Sequence, residues 1–105
     1  MKVLFVASEA APYMKVGGLG EVMYSLPRAL NRMCHDARVF IPRYASIDMD
    51  KFPMAMIMEG LRVPSGVEEP IICNIKSGLA HKHDLSEPAI TYFLENMEYY
   101  EKRAN

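Results

Sequence analysis

A chain of 105 residues that is half apolar and 24% charged fits one soluble domain with a real core. Its formal net charge of −1 leaves no basic footprint for nucleic acid. No apolar run approaches the roughly 20 residues that a membrane span needs, so neither nucleic acid nor a bilayer is an expected partner.

The first element is Val3 to Ala7, a continuous apolar run bounded by Ser8 and Glu9. It is shorter than the apolar stretch of about 7 to 15 residues in a secretory signal, and it reads as a strand buried on both faces, as in parallel sheets. The chain is accordingly expected to be cytoplasmic, with no transit peptide seen. Residues 8–18 form a loop carrying Pro12, Gly17 and Gly18. Leu19, Val22, Met23, Leu26, Leu30 and Met33 then recur at steps of three and four, the stripe of an amphipathic helix over about 19–33. Pro27 lies inside that stripe and is expected to kink the helix without ending it. "ARVFIP", residues 37–42, is the second strand, closed by Pro42. Strand, helix and strand in this order predict the right-handed crossover of an α/β sheet.

Beyond Tyr44 the runs shorten. Residues 54–63, 71–76 and 89–95 are apolar segments separated by Pro- and Gly-bearing stretches. They predict a hairpin-like excursion at the sheet's edge and a return to the core through residues 90–94. The charged tail that follows is compatible with a helix. Cys34 and Cys73 have no CxxC spacing and read as reduced, mostly buried thiols. His81 and His83 flank Lys82 in a polar stretch with no further ligands, which reads as a solvated loop and not a metal site. Tyr92, Phe93, Tyr99 and Tyr100 read as core or surface filler.

The stretch with chemistry in it is "PYMKVGGLGEV", residues 12–22. A strand that runs into a glycine-bearing turn at a helix start makes an anion site. The first helical N–H groups have no intrahelical partner, and the helix dipole is positive there. Gly17 and Gly18 let a backbone approach a phosphate closely and permit positive φ, while Lys15 adds a compact, mobile charge. The spacing matches neither G-x-G-x-x-G nor G-x-x-x-x-G-K-S/T, because the lysine precedes the glycines. On spacing alone, a structural turn with a surface lysine is the somewhat favoured reading.

Residues 2–30, "KVLFVASEAAPYMKVGGLGEVMYSLPRAL", closely resemble the N-terminus of bacterial glycogen synthases and plant starch synthases. The likeness includes Ser8-Glu9, Pro12, K-x-G-G-L at Lys15 to Leu19, and the Leu-Pro of the helix. "HDARVFIPRYASID" (35–48) and "ITYFLENMEYYEKR" (90–103) resemble later blocks of that family in the same order. The resemblance implies an α/β fold: a partial Rossmann-like three-layer sandwich, the N-terminal half-domain of a glycosyltransferase with two Rossmann-like domains. It also implies a retaining glucosyltransferase that moves glucose from ADP-glucose to the non-reducing end of an α-1,4-glucan. Lys15 would then hold the donor's diphosphate, with Gly17 and Gly18 giving it room. Departure of ADP develops negative charge there, so preorganised donors stabilise the transition state. The partners implied are the nucleotide-sugar donor and the glucan acceptor. Neither a cofactor nor a metal is called for if lysine, arginine and a helix terminus neutralise the charge.

Two residues depart from the family's pattern. Glu21 stands where relatives usually have Asp, near the sugar and acceptor. It is either a catalytic carboxylate or an acid favoured by the helix dipole. Cys34 replaces the usual glycine after the helix, where a left-handed conformation would be costly for it. Relatives are much longer, so residues 1–105 are expected to be a single N-terminal fragment of the catalytic domain, inactive alone. Self-association through an exposed sheet edge is a further expectation. The alternatives are a non-catalytic nucleotide- or phosphate-binding or interaction module derived from this fold, and an α/β nucleotide binder of other chemistry.

Overall fold

The computed structural model describes residues 1–64, 66, 69–78 and 88–96. They form β1 (Lys2–Val6), α1 (Gly18–Arg32), β2 (Asp36–Pro42), β3 (Met54–Val63), β4 (Ile71–Gly78) and β5 (Thr91–Glu95). All five strands join one sheet in the order β1-β2-β5-β4-β3. β1, β2 and β5 run parallel, with Phe5 opposite Val39 and Ile41 opposite Phe93. β3 and β4 are an antiparallel pair added to the far side of β5. This is the expected edge excursion, and β5 is the return to the core.

Alternate residues of a strand share a face, so Val39 and Ile41 on β2 lie beside Thr91 and Phe93 on β5. Val39, Ile41 and Phe93 are 0–1% exposed and pack with Met23 of α1, Ile47 and Ala89. Each of these side chains larger than alanine contributes about 1.5–3 kcal/mol by leaving water. On β3 the register shifts twice between Met56 and Leu61. Gly60 sits in the second shift with φ +71 and donates its N–H to Asn74 Oδ1 at 3.0 Å, a bulge that glycine accommodates without strain.

Three expectations need correction. β1 is not buried on both faces: Leu4 is 54% and Val6 74% exposed. Among the described residues β1 has one neighbouring strand, and α1 covers only one face of the sheet. The apolar stripe of α1 is likewise wider than the face that meets the sheet. Gly20, Met23 and Pro27 are buried, whereas Leu19, Val22 and Leu26 are more than 40% exposed. Pro27 nevertheless sits inside one continuous helix. Of the two unpaired thiols, Cys73 is buried but Cys34 is exposed. The stretch around His81 and His83, the residues Tyr99 and Tyr100, and the charged tail lie outside the described residues.

The end of α1 explains Cys34. The N–H of Cys34 bonds Asn31 O and that of His35 bonds Leu30 O, both at 3.1 Å, the paired bonds of a Schellman turn. That turn needs a left-handed residue, and Cys34 supplies it at φ +67. A Cβ in this conformation costs about 1–2 kcal/mol, a penalty glycine escapes. Cys34→Gly is therefore expected to stabilise the chain by about 1 kcal/mol, raising Tm by about 4–8 °C for a domain of this size. Thermal denaturation followed by circular dichroism checks this; an unchanged or lower Tm contradicts it.

Candidate functional site

The β1–α1 loop lies at the C-terminal ends of the parallel strands, the end at which open α/β sheets place ligands. Its path is fixed by short-range bonds. Ala7 N–H bonds Phe40 O at 3.0 Å, extending the β1–β2 ladder by a residue. Ala10 and Met14 exchange backbone bonds at 2.9 and 3.0 Å around a cis Ala11–Pro12 peptide. At the tip, Tyr13 sets its ring edge-on to Phe52 and Phe93, 5.0 and 4.9 Å between centroids, anchoring the loop to the core. Tyr44 Oη donates to Ser8 O at 2.8 Å, and Ala11 N–H bonds Gly20 O at 3.0 Å.

The helix starts badly on local grounds. Its N-cap is Gly17, which has no side chain to receive an orphan N–H, and Gly18 and Gly20 follow within the first turn. Glu9, from the other end of the loop, supplies the missing acceptor. Its Oε2 accepts from Val16 N–H at 2.5 Å and Gly17 N–H at 3.3 Å, and its Oε1 accepts from Gly20 N–H at 3.0 Å. Glu9 is 9% exposed. The bond from Val16 holds its carboxyl below the usual range; burial opposes this, while the Gly20 and Gly17 amides and the Lys15 charge reinforce it.

This geometry corrects the expectation of a wholly open set of amides. Val16, Gly17 and Gly20 are already satisfied by Glu9. The N–H groups of Gly18 and Leu19 remain without a partner among the described residues. Nor is positive φ the reason for the Gly-Gly pair, because neither Gly17 nor Gly18 adopts it. A Cβ on Gly17 would make ordinary contact with Glu9 Oε1 at 3.9 Å, and one on Gly18 would meet no atom of the described residues within 4 Å. Gly20 is the constrained one: its Cβ would come within 2.9 Å of Lys15 Cγ and 3.3 Å of Lys15 Cα.

Lys15 and Glu21 come together. Lys15 Nζ lies 2.6 Å from Glu21 Oε1, with the side chains 47% and 54% exposed. Such a half-solvated pair contributes only about 0–1 kcal/mol. Phe93 belongs to the core and meets the loop through the Tyr13 ring, whereas Tyr92 accepts from Arg38 Nη1 at 2.6 Å. Among the described residues no group of three His, Cys, Asp or Glu is placed to hold a metal ion. None of their helices is long and apolar enough to cross a membrane. An open concavity of about 310 Å³ lined by Lys2, Val3, Leu4, Asp36 and Arg38 lies at the opposite, N-terminal ends of β1 and β2.

Sequence reasoning missed two acidic residues. The signal for Glu9 was a lone charge after an apolar strand, facing a helix start without a capping side chain. Glu95 carried no such signal. At the end of β5 its Oε2 meets Arg43 Nε at 2.8 Å and Lys76 Nζ at 2.6 Å, and its Oε1 accepts from Asn74 Nδ2 at 3.0 Å. Burial pushes the Glu95 carboxyl up, but Lys76, Asn74 and Arg43 together hold it below its ordinary value.

The family described as the starch synthase catalytic domain matches residues 2–105. The chain is 37% identical over 102 residues to glycogen synthase 1 of Geobacter metallireducens, covering 97% of this chain and 20% of that protein. It is 42% identical over 104 residues to the glycogen synthase of Geobacillus stearothermophilus, 98% of this chain and 20% of that one. The chain thus spans about a fifth of the length of these relatives. Among solved structures it is similar to the catalytic domain of starch synthase IV from Arabidopsis thaliana bound to ADP and acarbose. The TM-score is 0.67 at 26% identity, over 90% of this chain and 18% of that one. The fold likeness agrees with the α/β, Rossmann-like expectation.

Glu9 and Glu95 bind their protons less tightly folded than unfolded, so folding favours their ionised forms. The stability they contribute is complete above the unfolded carboxylate range and is lost as pH falls through the folded values. The urea midpoint is expected to decline from pH 6 to pH 3, and Glu95→Gln to decline less steeply. A profile for Glu95→Gln as steep as that of the unsubstituted chain contradicts the assignment.

Proposed function

The chain belongs to the starch synthase catalytic domain family, and on that footing we propose that residues 8–21 form the diphosphate-binding wall of a retaining glucosyltransferase. The reaction is transfer of glucose from ADP-glucose to the non-reducing end of an α-1,4-glucan. ADP in the similar starch synthase structure supports a nucleoside diphosphate donor. The observation that carries the reading is Lys15 beside a helix start whose Gly18 and Leu19 amides have no partner among the described residues. Gly18 supports it further, since no positive φ and, among the described residues, no neighbour within 4 Å requires glycine there. A donor phosphate resting against the backbone would.

In this reading Lys15 exchanges Glu21 for the diphosphate. A diphosphate carries more charge than one carboxylate, and the pair it displaces is weak. As the glycosidic bond breaks, charge builds on the departing ADP. Lys15 and the two amides are then already in place to receive it. Glu21, released from Lys15, is the proposed carboxylate on the sugar side. The donor itself carries the activated sugar, so no cofactor enters.

Two carboxylates, Glu9 and Glu21, face one ammonium in this wall, a formal surplus of one negative charge. The wall therefore orients the diphosphate more than it neutralises it, and further cations have to come from outside residues 8–21. Water exclusion likewise needs an opposing surface. The 105-residue polypeptide is for these reasons proposed to be inactive alone. A cytoplasmic setting is proposed from the bacterial relatives. Self-association through β1 is supported by its place at the sheet edge with Leu4 and Val6 exposed.

The test is a chimera in which residues 1–105 replace the matching segment of a bacterial glycogen synthase. It is expected to incorporate radiolabelled glucose from ADP-glucose into glycogen. Lys15→Ala should cut kcat/KM by about 10²-fold, the usual cost of one preorganised donor, with Tm unchanged. The chain alone should incorporate nothing above background. Full activity of the Lys15→Ala chimera removes Lys15 from the mechanism, and incorporation by the isolated chain refutes the one-wall account.

A further inference from the structure

We infer that Glu9 is the positioning residue of the diphosphate site: it occupies the amides of Val16, Gly17 and Gly20 and leaves those of Gly18 and Leu19 to receive phosphate oxygens. This rests on the proposed function. The three bonds divide the five amides from Val16 to Gly20 into a held set and an open pair. A carboxylate is the group that can do this. Both of its oxygens are used as acceptors, Oε2 twice and Oε1 once. A glutamine would set an NH2 against one of the donors, and an aspartate would be a methylene short.

The same clamp sets the lysine. Val16 and Gly17 are the two residues after Lys15. Gly20 is the position whose missing Cβ gives the Lys15 stem its room, 2.9 Å from Cγ and 3.2 Å from Cβ. Fixing these three amides therefore fixes the base of Lys15 against the first helical turn. The clamp also has a cost that makes it testable. A buried carboxylate beside an anion site repels the anion, and a spectator there would be an electrostatic liability. Removing its charge should tighten anion binding if charge alone matters, and weaken it if the carboxylate's real effect is placement.

The experiment is NMR on the full 105-residue chain, titrated with inorganic pyrophosphate. In the unsubstituted chain the Gly18 and Leu19 amide signals are expected to shift saturably. Val16, Gly17 and Gly20 should stay put and exchange slowly with solvent. Lys15→Ala should abolish the shifts. In Glu9→Gln the held amides should exchange faster, the response should spread to them, and affinity read at Gly18 and Leu19 should fall at least tenfold. Equal or tighter binding at Gly18 and Leu19 in Glu9→Gln overturns the inference while leaving the proposed function standing. No response in the unsubstituted chain overturns the proposed function and this inference with it. Should Glu9→Gln fail to fold, Glu9→Asp decides. It keeps the charge and loses the reach, so Gly20 should exchange faster and pyrophosphate bind more weakly; unchanged exchange and binding overturn the inference.

Discussion

The bonds from the Glu9 carboxylate to Val16, Gly17 and Gly20 close the loop between the first strand and the first helix, and most of what is distinctive in the structure depends on them. They cap a helix whose first residues offer no cap of their own. They determine which backbone donors are spent on the protein and which are left over. They also hold Lys15 at the mouth of the loop. Tyr13 and Ala11 tie the same loop to the core and to the helix, so the clamp sits on a rigid base.

Electrostatics then sets what this surface can do. A carboxylate spent on the helix start cancels part of the dipole that would attract an anion, and Glu21 pairs with the Lys15 ammonium. What remains is a shaped site with little net attraction. Under the proposed function such a site orients a diphosphate, with the bulk of the charge compensation supplied from outside residues 8–21. That division suits a transferase, because interactions matched to charge as it develops accelerate the reaction more than strong binding of the intact donor.

Much of the fold was legible because its signals are local. The run at residues 37–42 became β2, the helix started within a residue of the expected place, and β3 matches the run at 54–63. Periodicity and Pro or Gly punctuation report on such neighbours. What they could not report was lateral. The apolar run at β1 reads the same in a central strand and at an edge, so the exposure of Leu4 and Val6 was invisible. The stripe on α1 gave an apolar face without saying how much of it would meet the sheet. The Lys15–Gly18 motif was legible, but its key partner was not, since Glu9 acts across 7 to 11 residues of sequence. Glu95 lies still further from Arg43, and its ring of partners is assembled only by strand order.

The exchange of Lys15 between an internal and an external partner is the most direct test of this account. Co-crystallising the chain with ADP measures it. The account predicts Lys15 Nζ moved from Glu21 to a phosphate oxygen, phosphate against the Gly18 and Leu19 amides, and the Glu9 bonds intact. ADP bound elsewhere with Lys15 still on Glu21, or Glu9 swung out and its three amides turned to phosphate, would contradict it.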